Sequence, residues 1–350
     1  MRTEDPIRIV QYGIGPIGLE CLRTVLAKEG TGLVKLVGAI DIDPEKAGRD
    51  VAELLQLDEV TGIEVQEDAS EVLRNVRPDV VIHTTSSFLD RVHGQLLDCV
   101  RFGAHVVSST EELSFPYDRH AGLSTELNAL AREHGVVVVG TGVNPGFAMD
   151  TLALTATGVC SDVSEVHVTR IVDAGKRRLP LQRKVGAGLT VEVFEEQRAT
   201  GTFGHIGLRE SLLFLARGLH WQLDRVEERL RPVLADTEID TSFLHVGAGC
   251  VTGIHHDVQG YIGADPVLTL DLKMYVGARN ARDAVRVVGA PPVDLEIRNG
   301  IFGDTATVAA LVNAVPLVMQ AQPGLKTMMD LPVPRAFATG RMLHKQAEAA

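Results

Sequence analysis

The chain has 350 residues, with 34 Lys and Arg against 46 Asp and Glu and a formal charge of −12. That balance argues against a scaffold that works by neutralising nucleic-acid phosphates and points to a small-molecule protein. Hydrophobic residues make up 45% and charged residues 23% of the chain, which excludes extended disorder and suits two domains that each bury a core. Cys21, Cys99, Cys160 and Cys250 lie far apart and form no C-x-x-C pair, so neither a disulfide framework nor a metal site is expected. Met1 to Pro6 carry charges of both signs and run straight into an apolar strand, without the pattern of a signal peptide. No apolar run reaches the roughly 18 residues of a membrane span. The expected location is the cytoplasm.

The first half alternates short β-branched runs (Ile7–Gln11, Leu33–Asp41, Val80–Thr84, His105–Ser109, Val136–Gly140) with helical stretches from about Pro16, Pro44, Asp90 and Ser124. Strands separated by 10–15-residue helical patterns predict right-handed crossovers and a parallel sheet buried on both faces. From about Val163 the texture changes. Alternating segments such as Glu165–Val172 and Val267–Met274 read as half-buried antiparallel strands of a second, α+β domain. Thr305–Ala321 is helical, followed by a Gly- and Pro-punctuated stretch, and the tail Ala347–Ala350 reads as frayed. The fold class is therefore α/β, a Rossmann-type parallel sheet plus an α+β domain. The expected boundaries are residues 1–148, 149–303, and a segment 304–350 that returns to the first domain.

Directly after the first strand stands Gly13-Ile14-Gly15-Pro16-Ile17-Gly18, a G-x-G-x-x-G that opens a helix, and Asp41 closes the second strand. In this context Gly13 permits a tight turn, Gly15 lets a pyrophosphate approach the backbone, and Gly18 lets helix and strand pack closely. Pro16 fits the first helical turn, where its missing donor is not needed. Asp41 is placed to accept hydrogen bonds from ribose hydroxyls, which favours NAD. Lys46 and Arg49 nearby soften the rejection of a 2′-phosphate, so NAD and NADP both remain open.

Three further segments end strands of the same sheet, at the carboxyl edge where open α/β sheets bind ligands. Thr84-Thr85-Ser86 either passes under the pyrophosphate and nicotinamide ribose or is an ordinary polar strand end. Ser108-Ser109-Thr110-Glu111-Glu112-Leu113-Ser114-Phe115-Pro116 brings two acids there. They either act beside the cofactor, one of them as a general base, or cap the first turn of a helix that follows Ser109 or Thr110. Asn144-Pro145-Gly146-Phe147 offers an amide for the cofactor carboxamide or the substrate, with Phe147 and Met149 as apolar walls.

These motifs together, with Arg170, Asp173-Ala174, Lys184–Gly188, Gly204–Ser211 and Pro323–Met328, resemble the 2,4-diaminopentanoate dehydrogenases and the native amine dehydrogenases related to them, relatives of dihydrodipicolinate reductase. The resemblance runs over nearly the whole chain. It implies a dihydrodipicolinate reductase-like fold, a homodimer formed through the second domain's sheet, and reversible nicotinamide-dependent deamination of an amine to a ketone and ammonia. It also implies that a glutamate of the Glu-Glu-Leu motif is the acid/base, Glu112 before Glu111. The reductase's His-His-Lys and Asp-Ala-Pro-Ser-Gly-Thr-Ala signature is not reproduced, because His255-His256 is followed by Asp257-Val258-Gln259-Gly260. This argues against a cyclic dicarboxylate substrate.

In the second domain, His205 near a helix start and His256 on a strand are candidates to orient the amine nitrogen; two histidines without a carboxylate at ligand spacing do not make a metal site. Arg170 either pairs with a pocket acid or forms an inter-strand salt bridge, and Arg177 belongs to a basic cluster with Lys176, Arg178, Arg183 and Lys184. Trp221 and Phe214 read as core or dimer contacts. Competing readings are another oxidoreductase of the dihydrodipicolinate reductase or homoserine dehydrogenase type, and a nicotinamide-binding sensor without turnover.

Overall fold

The structure, a computed structural model, describes residues 5–337; the tail Ala347–Ala350 lies outside the described residues. The chain forms two compact units. One comprises the chain up to Val143 and the segment from Gly303 onward, the other Asn144–Phe302. The division falls before Asn144 rather than after residue 148 because the turn beyond Asn144 bonds into the second unit. Asp150 accepts the Gly146 N–H (2.7 Å) and the Ser211 hydroxyl (2.8 Å) there.

The first unit runs β1 (Ile7–Tyr12), α1 (Pro16–Glu29), β2 (Val34–Ile40), α2 (Val51–Leu55), β3 (Val65–Gln66), α3 (Ala69–Val76), β4 (Val80–His83), α4 (Leu89–Arg101), β5 (His105–Ser108), α5 (Ala121–Glu133) and β6 (Val137–Gly140). The second holds α6 (Thr151–Thr157), β7 (Asp162–Asp173), α7 (Leu179–Lys184), α8 (Val191–Arg198), α9 (Leu208–Gly218), β8 (Arg225–Leu234), β9 (Ile239–Asp240), β10 (His245–Val246), β11 (Val251–Ile262), β12 (Asp265–Tyr275), β13 (Arg282–Ala290) and β14 (Val293–Arg298). The chain then adds α10 (Gly303–Val318) and β15 (Gly324–Lys326) to the first unit.

Seven strands of the first unit pair in parallel in the order β15-β6-β5-β4-β1-β2-β3. β-branched runs suit them because both faces are covered: every residue of β4 and β6 is buried. The order reverses between β1 and β4, so the carboxyl ends of those two strands flank the topological switch point, where such sheets bind ligands. The second unit's main sheet has the order β14-β13-β7-β12-β11-β8. β7 and β12, read from the sequence as antiparallel strands, do pair antiparallel with β13 and β11 respectively, but the sheet is mixed: β7 and β12 are themselves neighbours and run parallel, with Leu270 opposite Val168. Alternation of apolar and polar residues reports that one face is buried and is silent on strand direction. Phe214 on α9 is buried in the core, and Trp221 lies just beyond that helix, half-buried.

Candidate active site

The glycine turn after β1 is shaped by three different constraints. Gly13 has φ +88°, and a Cβ on it would lie 2.8 Å from the Thr84 carbonyl oxygen. A Cβ on Gly18 would lie 2.0 Å from the Gly13 carbonyl oxygen, so this position admits no side chain while α1 packs on β1. Gly15 caps α1 in an extended conformation, and a Cβ on it would meet nothing within 4 Å. The bare position is thus the one over open space, beside unpaired N–H groups of a helix start that carry partial positive charge. A dinucleotide pyrophosphate fits this cradle. Pro16 sits in the first turn of α1 and Ile17 next to it is half-buried.

The turn is braced from β4. The Thr84 hydroxyl donates to the Gly13 carbonyl (2.7 Å) and accepts from Gln11 (2.9 Å). Thr85 donates to Gln95 Oε1 (2.8 Å). Both hydroxyl protons are therefore committed inside the protein, so Thr84 and Thr85 shape the turn rather than present donors to a ligand. Ser86 Oγ accepts from the Phe88 N–H at 3.3 Å and keeps its own proton to donate. Ser109 donates its N–H to the His83 carbonyl.

His83 was not singled out in the sequence, where it ends an apolar run. Its ring, fully buried, bonds Ser108 Oγ (2.9 Å), Gln95 Oε1 (2.9 Å) and Thr85 Oγ1 (3.0 Å). Ser108 bonds Thr110, whose hydroxyl donates to the Ser86 carbonyl. The tips of β4 and β5 are thereby tied into one piece. Burial lowers the His83 ring to about 4, partly offset by the bond to Gln95. Its folded value lies below the unfolded one, so the unfolded chain binds the extra proton first and stability falls with acidification. We expect a loss of up to about 3 kcal/mol between pH 6.5 and 4. Chemical denaturation at stepped pH reads it, and a His83→Phe variant should lose that part of the slope.

Glu112 and Glu111 open a 3₁₀ turn, Glu111–Ser114, after β5. A Cβ on Gly140 at the end of β6 would lie 2.5 Å from the Leu113 carbonyl carbon, so the turn is seated where only glycine leaves room. Of the two readings, capping of their own turn does not occur through Thr110. Glu112 instead caps another helix. Phe88, at the α4 start, has no side chain able to accept, and Glu112 Oε2 takes the Leu89 N–H at 2.8 Å. The same oxygen bonds His120 Nε2 at 2.8 Å, while Oε1 lies 3.8 Å from Arg119 Nε. Glu112 is 3% exposed, a buried anion at a helix N-terminus with one oxygen held and the other less tightly engaged. Glu111 is half-buried beside it. His120 and Arg119 escaped notice in the sequence because they follow the motif at no fixed, recognisable spacing.

Asp41 lies at the end of β2. Its Oδ2 accepts the Ile14 N–H (2.5 Å), its Oδ1 the Asp43 N–H (2.9 Å), and Lys46 Nζ stands 3.4 Å away. It is joined to the glycine turn itself.

The candidates of the second unit fall into two groups. Asn144 Nδ2 donates to His205 Nε2 (3.2 Å), and the His205 ring stands edge-on to His256 at 6.3 Å. Burial, with Lys184, His256 and Arg170 adding like charge, holds His205 well below its usual value and so neutral. His205 precedes α9, which starts after Gly207, rather than opening it. His256 Nε2 bonds Glu228 (2.8 Å), and two buried atoms, His256 Nδ1 and Asn144 Oδ1, have no hydrogen-bond partner among the described residues. In the other group, Arg170 and Met149 are structural. Arg170 on β7 faces Asp283 across the sheet and bonds it at 2.7 Å, which makes it the inter-strand salt bridge rather than the partner of a pocket acid. Its head also donates to the Ile301 carbonyl (2.9 Å). Met149 is fully buried and belongs to the core instead of walling a pocket, whereas Phe147 is half-exposed. Arg177 is 6% exposed and lies 4.9 Å over the Phe302 ring. Among the described residues no group of three or more His, Cys, Asp or Glu is disposed to hold a metal ion.

A fully parallel sheet with this cradle at its switch point, joined to a second sheet-based unit, defines a Rossmann-type dehydrogenase. A sequence model of the 2,4-diaminopentanoate dehydrogenase C-terminal domain matches residues 147–347. The chain is 29% identical over 341 residues, 95% of each chain, to the 2,4-diaminopentanoate dehydrogenase of Acetoanaerobium sticklandii. It is 28% identical to the amine dehydrogenase of Streptomyces virginiae, covering 97% of this chain and all of that one. The solved amine dehydrogenase of Mycobacterium smegmatis superposes with a TM-score of 0.84 at 26% identity, covering 96% of this chain and 99% of that one. The chain belongs to the 2,4-diaminopentanoate dehydrogenase family.

Proposed function

We propose that the protein is a nicotinamide-dependent amine dehydrogenase that interconverts a small amine with its ketone or aldehyde and ammonia. Family membership supports the reaction class. The observation that carries the chemistry is the buried Glu112 carboxylate, at the carboxyl edge of the same sheet that holds the glycine cradle. NAD or NADP, held by Gly13, Gly15, Pro16, Ile17, Gly18, Asp41, Ser86 and Ser109, supplies or accepts hydride when bound. Thr84 and Thr85 support that site from behind, through Gly13 and Gln95.

The Glu112 carboxylate takes a proton from the incoming ammonium so that ammonia can add to the carbonyl carbon, and returns that proton to the carbinolamine hydroxyl as it leaves as water; again a carboxylate, it stabilises the cationic substrate C=N by its charge, and in the deaminating direction it takes the proton of the attacking water. His120 and the Leu89 N–H hold Oε2 meanwhile, which fixes the carboxylate's orientation. Glu111 is the second candidate for the same task. Phe147, Asn144, His205, His256 and Arg177 are proposed to contact the substrate; the neutral His205 ring, whose Nε2 accepts from Asn144, has Nδ1–H left to donate to a substrate carbonyl oxygen or to the lone pair of an unprotonated amine. We further propose a homodimer through the β14-to-β8 sheet, read by light scattering, and a cytoplasmic location suited to four free thiols. No helix among the described residues is long and apolar enough to cross a membrane.

A reductive-amination screen tests this reading, with ammonia, a ketone and aldehyde panel, and NADH or NADPH. Oxidation of the cofactor should require both ammonia and carbonyl and release an amine. Turnover without ammonia would instead make it an alcohol- or imine-type oxidoreductase, and binding without any turnover a sensor. The cradle carries its own expectation. Gly15→Val should fold with stability within about 1 kcal/mol of the parent yet bind NADH at least about tenfold more weakly, because the added side chain occupies only the open approach. Gly18→Ala should lose stability as well. Thermal unfolding and cofactor titration on both variants separate the two roles.

A further inference from the structure

We propose that Lys46 sets the cofactor range of this chain, allowing a 2′-phosphate beside Asp41 so that NADP(H) as well as NAD(H) is bound. The inference rests on the nicotinamide reading above. An acid at the end of β2 ordinarily turns away a 2′-phosphate by like charge. Asp41 is not an isolated acid, however. Both its oxygens already accept backbone N–H groups, from Ile14 and Asp43, and Lys46 Nζ lies 3.4 Å from Oδ2. The same ammonium stands 2.9 Å from Asp43 Oδ2, and the Lys46 side chain is 24% exposed. Lys46 therefore sits between two carboxylates just beyond the end of β2.

The sequence places a second cation, Arg49, nearby, and the geometry separates the two. Arg49 Nε pairs with Glu53 (3.2 Å) and its Nη1 donates to the Glu45 carbonyl (3.3 Å), away from Asp41. The turn that carries Lys46 is fixed by the Lys46 and Ala47 N–H groups on the Asp43 carbonyl, and by Gly48 on Val65. The flexible stem of Lys46 lets its ammonium leave the half-buried Asp43 for a phosphate oxygen. A single ammonium is a point charge and not a bidentate fork, so it gives tolerance of the phosphate and not a demand for it. Without it, Asp41 and Asp43 would face the 2′-phosphate uncompensated.

The test measures dissociation constants of NADH and NADPH for the full chain, by titration of the reduced nicotinamide fluorescence, in the parent, Lys46→Gln and Arg49→Gln. The parent should bind both cofactors within about tenfold of each other. Lys46→Gln should weaken NADPH by about tenfold or more, the loss of one charge-assisted contact, and leave NADH within about threefold. Arg49→Gln should leave the ratio of the two unchanged. A Lys46→Gln protein with the parent's ratio, or a parent that binds NADH and not NADPH, overturns the assignment of Lys46 while sparing the cofactor reading. A folded parent that binds neither cofactor overturns both.

Discussion

Glu112→Gln is expected to lower kcat for amine oxidation by about 10²- to 10⁴-fold, the range of a lost general acid/base, with cofactor affinity within about threefold of the parent. The amide oxygen can still accept the Leu89 N–H, so the start of α4 stays capped, but the amide can neither take nor return a proton. Loss of the charge at a helix N-terminus and beside His120 costs about 1–2 kcal/mol of stability. Glu112→Ala should lose the cap as well and be less stable than Glu112→Gln, with no better activity. Glu111→Gln is expected to retain most of kcat. If the two Gln variants behave the other way round, Glu111 is the proton carrier and Glu112 only its support. Steady-state kinetics and denaturation on the same preparations decide between these outcomes.

The second large effect is on stability. Asp283→Ala is expected to destabilise the protein by about 3–5 kcal/mol, because it strands Arg170 as an unpaired buried charge. Both side chains are 2% exposed and 2.7 Å apart. The pair also closes on the chain that leaves β14, since Asp283 Oδ2 accepts the Ile301 N–H (2.7 Å) while Arg170 donates to the Ile301 carbonyl. For a unit of this size the loss corresponds to a fall in Tm of roughly 10 °C. The double change Arg170→Met with Asp283→Leu should recover about half, since the charges go together but the Ile301 peptide is left without partners. Equal destabilisation in the single and double variants would show that the pair acts through packing and not through its charge.

The parallel sheet was legible because β-branched runs alternate with helical stretches, and the cradle because Gly13, Gly15 and Gly18 keep fixed spacing after a strand. What escaped has a common cause, namely that its partners lie far away in sequence. β3 is two residues long, and β15 joins the sheet from the C-terminal segment, so neither has a local signal. Arg170 and Asp283 are 113 residues apart, and only the register of β7 with β13 places one opposite the other. Glu112 was visible as an acid at a strand end, but its capping of α4 was not, because that depends on Phe88 failing to cap its own helix. The partners of Thr84 and Thr85 were hidden for the same reason, since Gly13 and Gln95 take up their hydroxyl protons only in the folded sheet.

The proposed chemistry depends most on a carboxylate of the β5 tip standing at the reactive face of the cofactor. An experimental structure of the complex with reduced cofactor and a bound ketone tests it directly. A Glu112 carboxylate oxygen is expected within hydrogen-bond reach of the position of the substrate nitrogen, about 3 Å or one water away. Both Glu112 and Glu111 turned from the nicotinamide, with no water linking either to the substrate, would contradict it.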